Sequence, residues 1–149
     1  MLVTTITVVH VLLSLVGIAA GAVVLWGLLT TPRAAFWTDV FLWTTIATSV
    51  TGFFFPFHKL LPSHIIGILS LVVLLIAIRS RNRLPRTWAI STTLALYLNV
   101  FVLVAQLFMK VPALQALAPT QSEPPFAIAQ GVVLIAFLFL GVRAMMRAH

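Results

Sequence analysis

Five long stretches without a charged residue constrain this chain more than any other feature. They cover 1–32, 40–58, 60–78, 87–109 and 124–142, so they are between 19 and 32 residues long. A transmembrane helix needs about 17–25 mostly apolar residues to cross a hydrocarbon core of roughly 30 Å. Each stretch is therefore long enough to cross a bilayer once as a helix.

The composition excludes the main alternatives to a membrane protein. Of the 149 residues, 62% are hydrophobic and only 7% are charged. A soluble domain is about one-quarter charged, and a disordered chain combines low hydrophobicity with high charge. Cysteine is absent, which excludes disulfides, iron–sulfur clusters and thiolate metal sites within the chain.

The apolar stretches are predicted to be helices rather than strands of a barrel. Residues 69–78 read LSLVVLLIAI and lack the alternation of apolar and polar positions that barrel strands show. We therefore predict an all-α membrane protein, a single domain over 1–149 that forms a bundle of five transmembrane helices. The predicted spans are about 3–29, 37–56, 61–78, 87–109 and 125–143. The segment 111–122 contains two prolines and is predicted to be a loop, in part lying over the mouth of the bundle.

The positive charges predict the orientation of this bundle. With five spans, one face carries Lys59 and Lys110, whereas the other carries all seven arginines. Cytoplasmic loops carry the excess of Lys and Arg, so the N-terminus is predicted outside and the C-terminus in the cytoplasm. The residues predicted to meet anionic lipid headgroups are Arg79, Arg81, Arg83 and Arg86. No nucleic-acid partner is expected, because this cluster is one short loop without interleaved aromatic residues.

Small and polar residues share helix faces inside the predicted spans. In the first span, His10, Ser14, Gly17 and Gly21 follow the helical repeat and lie on one face. Gly17 and Gly21 form a G-x-x-x-G pattern, which lets another helix backbone approach closely. This face is predicted to point into the bundle, with Leu, Val, Ile and Phe facing lipid.

The polar residues gather toward the predicted periplasmic side, and this asymmetry predicts a ligand site there. An amide or imidazole in hydrocarbon costs a few kcal/mol unless it is hydrogen-bonded, so these groups are expected to converge. The candidate ligand-binding residues are His10, His64, Asn99, Gln106, Gln121, Glu123 and Gln130. The alternative is packing alone, in which His10 bonds across helices to Gln106 or to a threonine hydroxyl.

A redox cofactor is a second alternative. Two imidazoles on different helices can hold haem b as axial ligands, or a quinone by hydrogen bonds. His10 and His64 are the candidate pair, with His58 as a substitute, and the same three histidines are the candidate ligands of a metal ion. A Soret band in the purified protein would distinguish the haem hypothesis from the others.

Several classes of enzyme are excluded by what the sequence lacks. It has four histidines, too few for a histidine-box oxidase, no G-x-S-x-G nucleophile motif, and no acidic cluster that could bind Mg²⁺ for phosphoryl transfer. The leading hypothesis is therefore a non-enzymatic protein that binds a hydrophobic small molecule or lipid. The same composition also suits an accessory subunit of a larger membrane complex or a homo-oligomer.

Three segments carry a resemblance to known proteins. APTQSEPPF at 118–126, YLNVFV at 97–102 and GFFFPF at 52–57 resemble a group of small multi-pass proteins of the bacterial inner membrane. The resemblance covers about 52–130. It implies a bacterial inner-membrane protein and brings no activity with it.

Overall fold

The fold is entirely helical over the residues that the computed structural model describes, which are 2–30, 35–52, 62–81, 83–119 and 123–147. Within these described ranges, six helices follow one another: α1 (Leu2–Leu29), α2 (Ala35–Gly52), α3 (Pro62–Ser80), α4 (Pro85–Lys110), α5 (Pro112–Leu117) and α6 (Pro124–Arg147). The five long helices occupy the stretches in which the five spans were predicted.

Proline determines where four of the helices begin. Pro62, Pro85, Pro112 and Pro124 each occupy the first position of a helix. The N–H of the first residue in a helix has no acceptor within that helix, so a proline there costs no hydrogen bond. The fixed φ of proline also suits the first turn. The prediction of a loop at 111–122 was incomplete, because Pro112 starts the six-residue helix α5, which packs against the end of α4.

Neighbouring long helices run antiparallel. Gly17 of α1 lies against Thr44 of α2, and His10 nearer the start of α1 bonds to Thr51 nearer the end of α2. The α2–α3 pair shows the same pattern. Asp39, near the start of α2, bonds to Arg81, just after the end of α3. Ser49, near the end of α2, bonds to Ser70, which is earlier in α3.

The central helix of the bundle is α4. It packs against α1, α3, α5 and α6, and half of its apolar segment is buried. Its contact with α6 is also antiparallel, because Phe108 meets Phe126 and Tyr97 meets Phe137. The buried core between these helices consists mainly of Leu, Val and Ala with Phe41.

The antiparallel order brings most of the charged side chains to one end of the bundle, here called the arginine end. It contains the C-termini of α1, α3 and α6 and the N-termini of α2 and α4. The charged residues described there are Asp39, Arg79, Arg81, Arg83, Arg86, Arg143 and Arg147. Lys110 is the last residue of α4, at the opposite end.

Three helices are long and apolar enough to cross a membrane. Within the described residues these segments are Val8–Leu29 of α1, Pro85–Phe108 of α4 and Pro124–Arg147 of α6. The apolar part of α3, Ile65–Ser80, is shorter. By length and composition these are the features of a membrane protein.

Candidate functional site

The G-x-x-x-G face of α1 points into the bundle, as predicted. Gly17 and Gly21 are both buried, whereas Val9 on another side of the helix is exposed. A Cβ atom at Gly17 would lie 3.0 Å from Thr44 Oγ1, and one at Gly21 would lie 2.9 Å from the Phe41 ring. The glycines therefore allow α2 to approach α1 closely.

His10 lies on this same face and bonds across to α2. Its Nδ1 is 2.9 Å from the hydroxyl oxygen of Thr51. Thr51 also directs that hydroxyl to the Ala47 carbonyl at 2.8 Å. A hydroxyl has one hydrogen to give, so we assign Nδ1 of His10 as the donor and the Thr51 oxygen as its acceptor. The contact matches the packing alternative, in which His10 bonds to a threonine hydroxyl.

Asn99 is buried at a different contact, between α4 and α2. Its Nδ2 donates to Thr45 Oγ1 at 3.3 Å, and Thr45 is fully buried. Thr45 and Thr51 are six residues apart on α2, which separates them by about 9 Å along the helix. Asn99 therefore lies nearer the middle of the bundle than His10.

Gln130 lies on the other side of α4. Its Nε2 donates to the Phe101 carbonyl at 3.1 Å, and its buried Oε1 has no hydrogen-bond partner among the described residues. Asn99 and Phe101 are two residues apart in the helix, about 200° around its axis. Asn99 and Gln130 are consequently on opposite faces of α4, so the structure does not bring these two candidates into one site.

Gln106 and Glu123 lie nearer the end of the bundle opposite the arginines. Gln106 is half-buried, two turns beyond Asn99 on α4. Glu123 directly precedes α6, and its carbonyl accepts from the N–H groups of Phe126 and Ala127. Gln121 and His58 lie outside the described residues, as does the side chain of His64. The haem or quinone hypothesis for His10 and His64 therefore stays a prediction. No cluster of three metal-binding side chains occurs among the described residues.

The hydroxyl groups of α2 are mostly used within their own helix. Thr44, Thr48 and Thr51 each donate to the carbonyl four residues earlier, at 2.6, 2.7 and 2.8 Å. This local bond satisfies a hydroxyl without a partner from another helix. These three hydroxyl groups therefore donate within α2 rather than to another helix.

An open concave feature of the described bundle is lined by apolar side chains. An open groove of about 330 Å³ runs between α1 and α6, over α4. Its walls are Ile18, Ala22, Leu25, Trp26 and Leu29 of α1 and Phe137 and Leu140 of α6, and its floor is Leu96 and Val100 of α4. Every lining residue is apolar. We call this feature the α1–α6 groove.

Two properties of the helices create the α1–α6 groove. First, α1 and α6 both pack on α4 but contact each other much less than α1 contacts α2. Second, Ala22 contributes only a methyl group at the position where a larger side chain would fill the space. From Ile18 to Leu29 the groove follows twelve residues of α1, which rise by about 16 Å along the helix.

A cation, Arg147, lies close to the arginine end of the groove. Arg147 Nη2 donates to the carbonyl of Thr30 at 3.0 Å and so links the last turn of α6 to the end of α1. This guanidinium offsets the negative pole that the C-terminus of α1 presents. Arg147 is seven residues after Leu140, two turns along α6 on the same face as the groove.

The four arginines predicted to meet lipid headgroups also lie at the arginine end. Arg79, Arg83 and Arg86 are exposed. Arg81 is less exposed, because its Nη1 lies 2.7 Å from Asp39 Oδ1 and joins α3 to α2. A partly exposed ion pair of this kind contributes only about 0–1 kcal/mol to stability.

Sequence reasoning missed the α1–α6 groove, although a signal for it was present. Ile18, Ala22, Leu25 and Leu29 follow a helical repeat on a face of α1 that differs from the G-x-x-x-G face. From the sequence, large apolar residues were expected to face lipid, and a site was expected only among polar residues.

No protein-family model, no curated protein and no solved structure matches this chain.

Proposed function

We propose that this chain is a five-span protein of the bacterial inner membrane that binds a hydrophobic small molecule or lipid in the α1–α6 groove. The first support is the exposed surface of the bundle. Large apolar side chains are exposed on every long helix, among them Leu12 at 57%, Leu75 at 54% and Ile135 at 68%. Soluble monomers rarely expose apolar surface on this scale.

The contacts of α2 support its inclusion as a span. Residues 41–51 of α2 lie beside residues 10–21 of α1, which belong to the apolar segment Val8–Leu29 that is long enough to cross a membrane. A helix packed against a span along this length shares its depth in the bilayer. Asp39, the only charged residue of α2, is at the arginine end, where it meets Arg81 rather than hydrocarbon.

The orientation follows from the arginine end. Its six described arginines favour the cytoplasmic side by the positive-inside rule. The N-terminus is then outside and the C-terminus inside. The assignment to a bacterial inner membrane rests on the resemblance of the segments at 52–57, 97–102 and 118–126 to small proteins of that membrane.

The groove itself is the observation that carries the proposed function. Its nine lining residues are all apolar, and its volume of about 330 Å³ is at the small end of the range for ligand sites, roughly 300–1,000 Å³. A site without polar groups binds by contact area and shape, which suits an aliphatic molecule. It offers no group for acid–base or nucleophilic chemistry, so the proposed function is binding.

Native mass spectrometry of the protein purified in mild detergent tests this function. The wild-type protein should retain a co-purified lipid or other hydrophobic molecule, and Ala22→Leu, which fills the groove, should release it. Ala19→Leu is the matched control, since Ala19 is exposed on the same helix but does not line the groove. Equal retention by the two variants, or none by the wild type, would contradict the proposal. Retention of another protein in place of a small molecule would instead favour an accessory subunit.

A further inference from the structure

We infer that the occupant of the α1–α6 groove is one acyl chain of an anionic phospholipid from the arginine-end leaflet, with its phosphate on Arg147. This inference rests on the proposed function and narrows its ligand. Two observations support it: the fit of an acyl chain to the groove, and the position of the Arg147 guanidinium.

The length of the groove matches one leaflet. The groove extends from Ile18 to Leu29 of α1, about 16 Å, and half of a hydrocarbon core of roughly 30 Å is about 15 Å. Its residues nearest the arginine end are Trp26, which is 68% exposed, and Leu29. An indole at this level is in the interfacial zone that tryptophan prefers.

The charge at the end of the groove selects an anionic headgroup. Arg147 is exposed, lies on the groove face of α6 and uses its Nη2 to reach the Thr30 carbonyl. A guanidinium has five N–H donors in a planar fork that suits two phosphate oxygens at once. Arg143, one turn earlier, is also exposed, but its guanidinium lies over the ring of Phe139, which does not line the groove.

Other sources of a ligand fit less well. A free hydrophobic molecule would use the apolar walls but gain nothing from Arg147. A free phosphate would use Arg147 but leave the groove empty. A phospholipid uses both features, which meet at the end of α1, where Leu29 lines the groove and the next residue, Thr30, accepts from Arg147.

Lipid competition distinguishes these cases. The protein is reconstituted with phosphatidylglycerol and phosphatidylcholine of identical acyl chains, extracted in mild detergent, and the retained lipids are counted by native mass spectrometry. We expect about a fivefold preference for the anionic lipid, equivalent to about 1 kcal/mol for one basic residue. Arg147→Gln should abolish the preference and Arg147→Lys should keep most of it.

Arg83→Gln is the matched control, because Arg83 is exposed at the same end but belongs to the turn between α3 and α4. A loss of preference in Arg83→Gln as large as in Arg147→Gln would assign the selectivity to the general charge and overturn the inference. Equal retention of both lipids by the wild type would overturn the inference but leave the groove as a hydrophobic site. Retention of neither lipid would contradict the proposed function as well. Thermal unfolding of each variant checks that the bundle remains folded.

Discussion

Asn99 on α4 donates a hydrogen bond to Thr45 on α2, with 3.3 Å between Nδ2 and Oγ1, and so joins two helices that are not consecutive in the chain. The same Thr45 oxygen would lie 3.3 Å from a Cβ atom at Gly17 of α1. Three helices therefore meet around one buried hydroxyl.

The first prediction concerns this bond. Thr45→Val should destabilise the protein by about 1–3 kcal/mol, since it leaves the buried amide of Asn99 without its partner. Thr48→Val is the control, because Thr48 is also buried but its hydroxyl bonds to its own helix at the Thr44 carbonyl. Unfolding in mixed micelles measures both. Equal losses would show that the interhelical bond contributes nothing.

The second prediction contrasts two glycines under the same substitution. Gly21→Ala should destabilise by about 1–3 kcal/mol through overpacking, as its Cβ would meet Leu96 at 2.7 Å and the buried Phe41 ring at 2.9 Å. Gly131→Ala should stabilise by up to about 1 kcal/mol from helix propensity, because its Cβ meets nothing within 4 Å. Thermal unfolding in detergent measures the two shifts, which must have opposite signs.

The positions of the helices were predictable because simple physical rules determine them. The need to satisfy every backbone group in hydrocarbon makes long apolar stretches helical, and proline marks where α3, α4 and α6 begin. The inward face of α1 was predictable too, because Gly17 and Gly21 are about one helical turn apart and therefore mark the same face of one helix. These are properties of single segments and need no knowledge of their neighbours.

The pairing of the polar residues was not predictable from the same reasoning. Residues at similar depth can still lie on opposite faces of one helix. On α4, Asn99 and Phe101, whose carbonyl accepts from Gln130, are such a pair. Which helix faces which is determined by the packing of many similar apolar side chains. The α1–α6 groove arises in the same way, from the packing of α1 and α6 against α4. It cannot be predicted from any one segment of the sequence.

The third prediction tests the five-span topology. The chain has no cysteine, so Arg83→Cys and Val111→Cys each create a unique thiol at an exposed position, one at each end of the bundle. In intact spheroplasts a membrane-impermeant maleimide should label position 111 and should label position 83 only after permeabilisation. Labelling of both positions from the same side would exclude the proposed arrangement.

The fourth prediction concerns the link between Asp39 and Arg81. Asp39→Asn should change stability by less than about 1 kcal/mol, because the pair is partly exposed and screened by solvent. Repeating the unfolding measurement in high salt should reduce any difference further. A larger loss would mean that this pair helps to hold α2 against α3.

The central claim is that a hydrophobic molecule occupies the α1–α6 groove. A photoreactive benzophenone amino acid at Phe137 in the groove, or at Phe139 on the exposed face of α6, tests it most directly. The protein is purified in detergent, irradiated, and the mass of each adduct is measured. Position 137 should capture a retained lipid or other cellular hydrophobe, and position 139 should capture mainly detergent. Detergent adducts alone at both positions would contradict the account.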